Sequence, residues 1–218
     1  MLLKRLRDTM ARAGSTEDTL GEVVRLVANE MVAEVCSIYL LRAGEGAKGK
    51  AKAAPRVQLL GCGAILREVI AAADLLRDDW GVAADIWSVP SFTELGRDAV
   101  DAERWNLLHP TETPRASWVE QCLGGADGPI VAATDYIRMF ADQIRPFLRQ
   151  RYRVLGTDGF GRSDYRKKLR HFFEVDRHWV TLAALESLAL DGVIPASKVG
   201  EAIKQYGIDP DKPNPARV

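Results

Sequence analysis

Residues 57–76, VQLLGCGAILREVIAAADLL, decide the fold of this chain. They open with a short, mostly apolar run, Val57 to Leu60, which stops at the turn Gly61-Cys62-Gly63. Apolar residues then recur at helical spacing and share one face: Leu66, Val69, Ile70, Ala73 and Leu76. The stretch therefore predicts a strand, a tight turn and an amphipathic helix, which together begin an α/β unit.

Three more strand-like runs follow, and the residues between them are numerous enough for helical crossovers. They are Ala84–Val89, Pro129–Ala133 and Arg151–Leu155. Two further helices, Asp176–Leu190 and Pro195–Tyr206, are predicted to cover the sheet. The proline-rich residues 208–218 are predicted to run extended over the surface. This alternation predicts an α/β fold with a mainly parallel sheet and helices on both faces.

The beginning of the chain follows a different pattern. Residues 1–42 carry a capping-box signal at Ser15 and Asp18, one amphipathic helix and one strand, Glu34–Leu41. Because this strand is apolar on both faces, it docks on the second half, pairs with another molecule or stays partly unfolded. Small and basic residues at 43–55 are typical of a flexible linker. We therefore predict an incomplete α+β piece (1–42), a linker (43–55) and an α/β domain (56–218).

Composition narrows the class of protein. Thirty basic and thirty acidic residues cancel, so no net charge attracts nucleic acid or an anionic membrane. Cys36, Cys62 and Cys122 are odd in number and contain no CxxC pair, which argues against disulfides and structural zinc. Charges interrupt the apolar residues at the N-terminus, and no run is long enough to span a membrane. A cytoplasmic protein without a membrane or nucleic-acid partner is expected.

The segment Gly156 to Ser163, GTDGFGRS, differs from the phosphate loop GxxxxGK[ST] only by Arg162 at the lysine position. Ser163 or Asp164 is predicted to cap the following helix. However, Asp158 would place a carboxylate among amides meant for an anion, and a planar guanidinium does not replace a compact ammonium. We therefore favour a glycine-rich turn between a strand and a helix over a nucleotide site.

Thr157-Asp158-Gly159 is also similar to the centre of the thiamine diphosphate motif, which holds magnesium through an Asp and a downstream Asn. That motif begins with Gly-Asp-Gly. The asparagines of this chain are Asn29, Asn106 and Asn214, and none lies where the second magnesium ligand is needed. We expect this loop to bind neither thiamine diphosphate nor magnesium.

Cys62 lies between two glycines at a strand-to-helix turn, where a nucleophile can be exposed and a helix N-terminus can favour its thiolate. No histidine is placed by the sequence to act as its base. A small residue in a tight turn is the favoured interpretation.

His171 and His178 flank Glu174 and Asp176, which could imitate a metal cluster on one continuous helix. Asp176 is instead predicted to cap a new helix, so the two imidazoles belong to different elements. No metal site is expected.

The segment Asp101 to Arg115, DAERWNLLHPTETPR, concentrates unusual residues between two predicted strands. His109 precedes a proline and so has an extended backbone, and it could carry a proton. A structural connection or an interface is the favoured interpretation. The interface or loop candidates of the chain are Trp105, Asn106, His109, Glu112, Arg115, Asp158, Arg162 and Ser163.

Five stretches, in order and without large gaps from about Arg56 to Pro215, resemble the C-terminal domain of the homodimeric pyruvate dehydrogenase decarboxylating subunit. These are VQLLGCGAILREV, SVPSFTELGRDAVDAERWNLLHPTETPR, ATDYIRMFADQIRPF, YRVLGTDGFGRSDYRKKLRHFFEVDRHWV and YGIDPDKPNP. The resemblance implies a transketolase C-terminal-like fold. Cys62 stands where the family is expected to have a small hydroxyl residue.

In that family, other domains hold thiamine diphosphate and magnesium and supply the catalytic residues. The resemblance therefore implies dimer assembly and support of the active-site walls for this segment, with no catalytic, cofactor or metal residue. The loop that contains Asp158 marks the family without binding the cofactor.

Residues 1–45 are similar to the start of the GAF domain of nitrogen-type phosphoenolpyruvate-protein phosphotransferases. The similarity stops after one helix and one strand, before the rest of that sheet and its ligand cavity. Neither sensing nor phosphotransfer is therefore expected, and the chain resembles a fusion of two gene fragments.

Three functional hypotheses follow, and whether the chain is an enzyme stays open among them. The first is a non-catalytic assembly domain that pairs with itself as a homodimer or with a pyruvate dehydrogenase chain carrying the cofactor domains. The second is the C-terminal part of a split pyruvate dehydrogenase that is active only with a partner chain. The third is a regulatory fusion paired through the GAF-like piece.

Overall fold

A computed structural model describes residues 39–42 and 54–218 of the chain. Five strands form one sheet: β1 Tyr39–Arg42, β2 Arg56–Gly61, β3 Ala83–Ser88, β4 Ile130–Ala133 and β5 Tyr152–Leu155. The strand order is β1-β3-β2-β4-β5. Strands β2 to β5 are parallel, and β1 pairs antiparallel with β3 at one edge. The predicted mainly parallel sheet, with its four apolar runs, is confirmed.

Within residues 54–218 lie seven α-helices. They are α1 Leu66–Trp80, α2 Phe92–Leu108, α3 Trp118–Leu123, α4 Arg138–Asp142, α5 Arg166–Phe172, α6 Arg177–Leu190 and α7 Ser197–Gln205. Short 3-10 helices occupy Gly63–Ile65, Arg145–Phe147 and Pro215–Arg217. Among the described residues no helix is both long and apolar enough to cross a membrane.

The order of the strands explains why both faces of the sheet are covered. The chain moves from β2 to β3 in one direction and from β3 to β4 in the other. Because parallel crossovers are right-handed, this reversal places α1 on one face and α2 on the opposite face. A buried hydrophobic cluster joins Leu59 and Val131 of the sheet to Leu76 of α1 and Leu185 of α6.

One polar side chain is fully buried in the middle of the sheet. Gln58 on β2 donates from Nε2 to Asp85 Oδ2 at 2.8 Å and to the Asp127 carbonyl at 2.9 Å. Its Oε1 accepts from Trp87 Nε1 at 2.7 Å. Since every polar atom of this amide has a partner, its burial costs little free energy. The hydrogen bond to the Asp127 carbonyl also fixes the position of the chain before β4.

Two predictions about the end of the chain have different outcomes. Asp176 caps α6 as expected, because its Oδ1 accepts from the backbone N–H groups of His178 and Trp179 at 3.0 and 3.1 Å. The tail, by contrast, is not extended throughout. It buries Ile208 and Pro215 and ends in a 3-10 helix, since its apolar residues find partners on the domain.

The segment Asp101–Arg115 was predicted to be a connection, and this is wrong for its first half. Residues up to Leu108 complete α2, which begins after Ser91, whose Oγ accepts from Glu94 N at 3.2 Å. Buried Leu95 and Ala99 show the helical spacing that continues into the segment. The helix ends just before Pro110, as the restriction on residues before proline requires.

The predicted N-terminal helix, its capping box, residues 34–38 of the predicted strand and linker residues 43–53 lie outside the described residues. Tyr39–Arg42, the end of that strand, adds to the edge of the sheet beside β3. This is the docked arrangement among the three alternatives. The predicted domain boundaries at 42/43 and 55/56 stay predictions.

Candidate interface at the carboxyl edge of the sheet

The carboxyl ends of the parallel strands bring Cys62, Tyr136 and Asp158 to one edge of the sheet. Cys62 follows β2, Tyr136 follows β4 and Asp158 follows β5. In open α/β sheets this edge is where sites are usually built, because the loops that leave neighbouring strands converge there.

The thiol of Cys62 lies 2.9 Å from the hydroxyl of Tyr136. Cys62 is 5% exposed, and burial raises its pKa above the ordinary 9.0 despite the hydrogen bond from Tyr136. Burial, together with the bond to Cys62, raises the pKa of Tyr136 to about 12. Both groups therefore keep their protons at neutral pH, and the hypothesis of an exposed, activated thiolate is wrong.

The loop after β5 is fastened to the loop after β4 by four hydrogen bonds. Asp158 Oδ2 accepts from Arg138 Nε at 2.7 Å and from the Arg138 backbone N–H at 3.4 Å. Thr157 donates from its backbone N–H to the Tyr136 carbonyl at 3.0 Å and from its hydroxyl to the Asp135 carbonyl at 2.9 Å. The carboxylate that counted against a phosphate site thus has a defined structural partner.

Two glycines let this loop approach neighbouring backbone closely. A Cβ on Gly156 would lie 2.7 Å from the Tyr136 carbonyl oxygen. Gly159 has φ of +108°, and a Cβ there would lie 2.2 Å from the Pro215 carbonyl oxygen. The loop therefore closes on the protein's own backbone.

The end of the same loop contacts helix α5 through Arg162. The guanidinium of Arg162 lies over the Phe172 ring at 4.1 Å, and Ser163 is exposed. Neither Ser163 nor Asp164 caps α5, which corrects the sequence prediction. Tyr165 is the N-cap residue, and Asp164 Oδ1 accepts from its backbone N–H at 2.8 Å.

Four large apolar side chains are exposed beside this fastened pair of loops. They are Ile137, Met139, Phe140 and Phe160, which we call the carboxyl-edge surface. Met139 is 60% exposed and Phe160 is 80% exposed. Because Arg138 and Asp158 join the two loops, these side chains are carried by two directly connected loops. Exposed apolar residues grouped in this way are typical of a surface that contacts another protein.

The candidates of the other loop form a separate cluster at the end of α2. Trp105 stacks on His109 with ring centroids 4.3 Å apart, and the Arg115 guanidinium lies 3.8 Å from the Trp105 centroid. Asn106 accepts from Arg115 N at 2.7 Å and donates to its carbonyl at 2.9 Å. The backbone N–H of Glu112 closes the intervening turn by donating to the His109 carbonyl at 3.1 Å. The structure thus joins five of the eight candidates, apart from Asp158, Arg162 and Ser163.

The two histidines lie on different helices, as predicted. His171 on α5 has Nδ1 3.0 Å from Asp176 Oδ2, whereas His178 on α6 stacks on Tyr206 with centroids 4.8 Å apart. Among the described residues, no three His, Cys, Asp or Glu side chains are grouped closely enough to hold a metal ion.

A family model for the transketolase-like TK C-terminal domain matches residues 38–176. The chain belongs to this family. Its predicted transketolase C-terminal-like fold is thereby confirmed. The match begins at residue 38, so it includes β1 and the predicted linker.

The relatives of this domain are named pyruvate dehydrogenase E1 component. That of Cupriavidus necator is 68% identical over 165 residues, which are 76% of this chain and 18% of the relative. That of Pseudomonas aeruginosa is 63% identical over 179 residues, 82% of this chain and 20% of the relative. The predicted resemblance of the C-terminal segment is confirmed. The chain spans about a fifth of the length of these relatives.

A solved structure described as split gene transketolase, inactive beta4 tetramer, is 15% identical, with a TM-score of 0.46. The alignment covers 71% of this chain and 43% of that chain. The GAF resemblance of residues 1–45 falls almost entirely outside the residues that the structure describes and stays a prediction.

The sequence analysis missed Arg138 and the apolar side chains of the carboxyl-edge surface in this TK C-terminal-like domain. A signal was present, because Ile137, Met139 and Phe140 directly follow a strand and its turn. The pairing of Arg138 with Asp158 had no local signal, since it depends on β4 and β5 being neighbours.

Proposed function

We propose that this chain is a non-catalytic assembly domain derived from pyruvate dehydrogenase E1, and that it docks through the carboxyl-edge surface on a chain carrying the cofactor domains. The exposed apolar group that includes Met139 and Phe160 carries the proposal. The pair between Arg138 and Asp158 supports it, because a surface held in place loses less entropy on binding. The parent reaction would be thiamine diphosphate-dependent oxidative decarboxylation of pyruvate with acetyl transfer to a lipoyl group.

The cofactor would be held by the partner chain. Asp158 already pairs with Arg138, and the Pro215 backbone closes over Gly159, so this loop does not fit a diphosphate or its magnesium ion. Asn106 is engaged with Arg115, and Asn214 accepts from Ala216 N at 2.9 Å within the tail. These contacts support the assignment of cofactor binding to another chain.

The proposal is tested by mixing this chain with the Cupriavidus necator E1 relative from which the matching segment has been deleted. Light scattering should show a complex heavier than either protein. The chain alone should also be measured, since a mass twice that of the sequence would favour a homodimer. Two unchanged masses in the mixture would contradict the proposal.

A split pyruvate dehydrogenase is the second candidate, favoured by identity of 68% to the relative over the matched segment. Identity this high would preserve contacts needed for an active assembly. Pyruvate-dependent turnover of the same mixture separates the two functions. Restored turnover favours the split enzyme, whereas a stable but inactive complex favours the assembly domain.

A further inference from the structure

A concave surface lies between Arg162, at the end of the loop after β5, helix α5 and Lys212 of the tail. It encloses a cavity of about 490 Å³, within the range of about 300–1,000 Å³ that ligand sites occupy. We call it the basic groove and define it by six of its lining residues: Arg162, Tyr165, Lys167, Lys168, Phe172 and Lys212. Four of these are cationic, and the carboxylate of Asp164 also lines the cavity, although the whole chain has a net charge of zero.

The cations of the basic groove differ in how far their charge is compensated. Lys212 Nζ lies 2.8 Å from Glu174 Oε1, so its charge is matched. Lys168 Nζ lies 4.0 Å from Asp164 Oδ2, at the limit of an ion pair. Within residues 54–218, Arg162 and Lys167 have no carboxylate at ion-pair distance. These two cations are therefore available to an anionic ligand.

Aromatic rings lie beside three of these cations. Arg162 and Lys212 approach the same Phe172 ring, at 4.1 and 5.3 Å from its centroid. Tyr165 is 59% exposed, and Lys168 Nζ lies 5.2 Å from its ring. Stacking holds the Arg162 side chain along the ring while its N–H groups stay free to donate. The lining of the groove thus combines aromatic rings with positive groups.

We propose that the basic groove binds an acidic segment of a partner protein. Carboxylates of the segment would pair with Arg162 and Lys167, and an apolar side chain would contact Phe172 and Tyr165. Because apolar rings and cations line the same cavity, a segment with both carboxylates and apolar side chains fits it better than a phosphate, which has no apolar part. A net charge of zero disfavours a nucleic acid. This site is distinct from the carboxyl-edge surface and extends beyond the proposed assembly function.

The test uses the full chain and a fluorescent synthetic peptide of alternating glutamate and leucine. Binding measured by anisotropy should weaken as salt is raised. The double variant R162Q/K167Q should weaken binding about tenfold, because it removes both unmatched charges. The matched control R104Q/K204Q removes two exposed charges elsewhere and should change binding less than about twofold. Circular dichroism confirms that both variants fold.

Several outcomes overturn the proposal. These are no binding of the peptide to the wild-type chain, equal binding of a peptide with glutamine in place of glutamate, and equal weakening by the two double variants. Tighter binding of a single-stranded oligonucleotide, or displacement of the peptide by millimolar inorganic phosphate alone, also overturns it. A photo-crosslinker on the peptide should label Tyr165 or Phe172, and labelling confined to other regions counts against the site.

Discussion

The carboxylate of Asp158 accepts a hydrogen bond from Nε of Arg138 at 2.7 Å, and this contact joins the loops after two neighbouring strands. This contact gives Asp158, the acidic residue of GTDGFGRS, a structural role. The apolar side chains of the carboxyl-edge surface lie on both sides of the contact: Met139 is adjacent to Arg138, and Phe160 follows shortly after Asp158. The relative position of the two loops that carry the proposed docking surface therefore depends on this pair.

The substitutions D158N and R138Q should each lower the free energy of unfolding by about 0.5–1 kcal/mol, because both partners are partly exposed to solvent. The double variant should lose little more than either single variant, since each change removes the same contact. Urea unfolding of the four proteins measures this coupling. Fully additive losses would show that the pair contributes nothing.

G159A should lower the free energy of unfolding by about 1–3 kcal/mol, because its positive φ disfavours a side chain and the new Cβ would collide with Pro215. G161A is the matched control in the same loop. No atom lies within 4 Å of its new Cβ, so its stability should change by less than about 0.5 kcal/mol. Equal urea midpoints for the two variants would contradict the described loop.

Glu68 on α1 ties together α5 and α6 through Arg170 and Arg177, with distances of 2.8 and 3.0 Å. Burial alone would raise the pKa of Glu68, but the hydrogen bonds and charge of Arg177 and the charge of Arg170 outweigh it and lower the pKa below 4.5. The folded protein therefore favours the ionised form. This stabilisation is present above the unfolded pKa and is lost as the pH falls through the lower folded pKa.

E68Q should lower the free energy of unfolding by about 1–2 kcal/mol at pH 7. This value is reduced for the partial exposure of both arginines. The wild type should lose part of this advantage as the pH falls below 4.5, and E68Q should lack that component. E186Q, which removes an exposed pair with Arg153, is the control and should cost less than about 1 kcal/mol. Parallel pH profiles for wild type and E68Q would contradict this role.

Cys62 should react slowly with a maleimide at neutral pH, and its rate should keep rising above pH 9.0 because burial raises its pKa. Mass spectrometry of peptides separates it from Cys36 and Cys122. The change C62S should keep the partner Tyr136 and cost less than about 1.5 kcal/mol. Rapid, pH-independent labelling at neutral pH would indicate an exposed, activated thiolate instead.

Local patterns predicted the sheet well. The run Val57–Leu60 became β2 with one more residue at each end, because a parallel strand covered on both faces is mostly apolar. The Asp176 cap was also predictable, since it needs only the chain that follows it. These features depend on neighbours close in sequence.

The missing parts depend on contacts across the sheet. The Arg138 and Asp158 pair requires β4 beside β5, and the Gly159 contact requires the tail to return over the loop. Trp105 was placed in a loop because nearby prolines outweighed the helical spacing from Leu95, although this spacing was present in the sequence. The geometry of the site depends on contacts between residues that are distant in sequence, and a short stretch of sequence does not contain both partners.

In the proposed function, the carboxyl-edge surface docks this domain on a pyruvate dehydrogenase chain. The control residues Leu190 and Val193 are similarly exposed, but they lie at the opposite edge, where the neighbouring Asp191 pairs with Arg151 before β5. The direct measurement is calorimetric titration of the full chain into the Cupriavidus necator E1 relative that lacks the matching segment. Wild type and L190S/V193S should bind equally, and M139S/F160S should bind at least about tenfold more weakly. Absence of binding by the wild type, or M139S/F160S binding as tightly as the wild type, would contradict the claim.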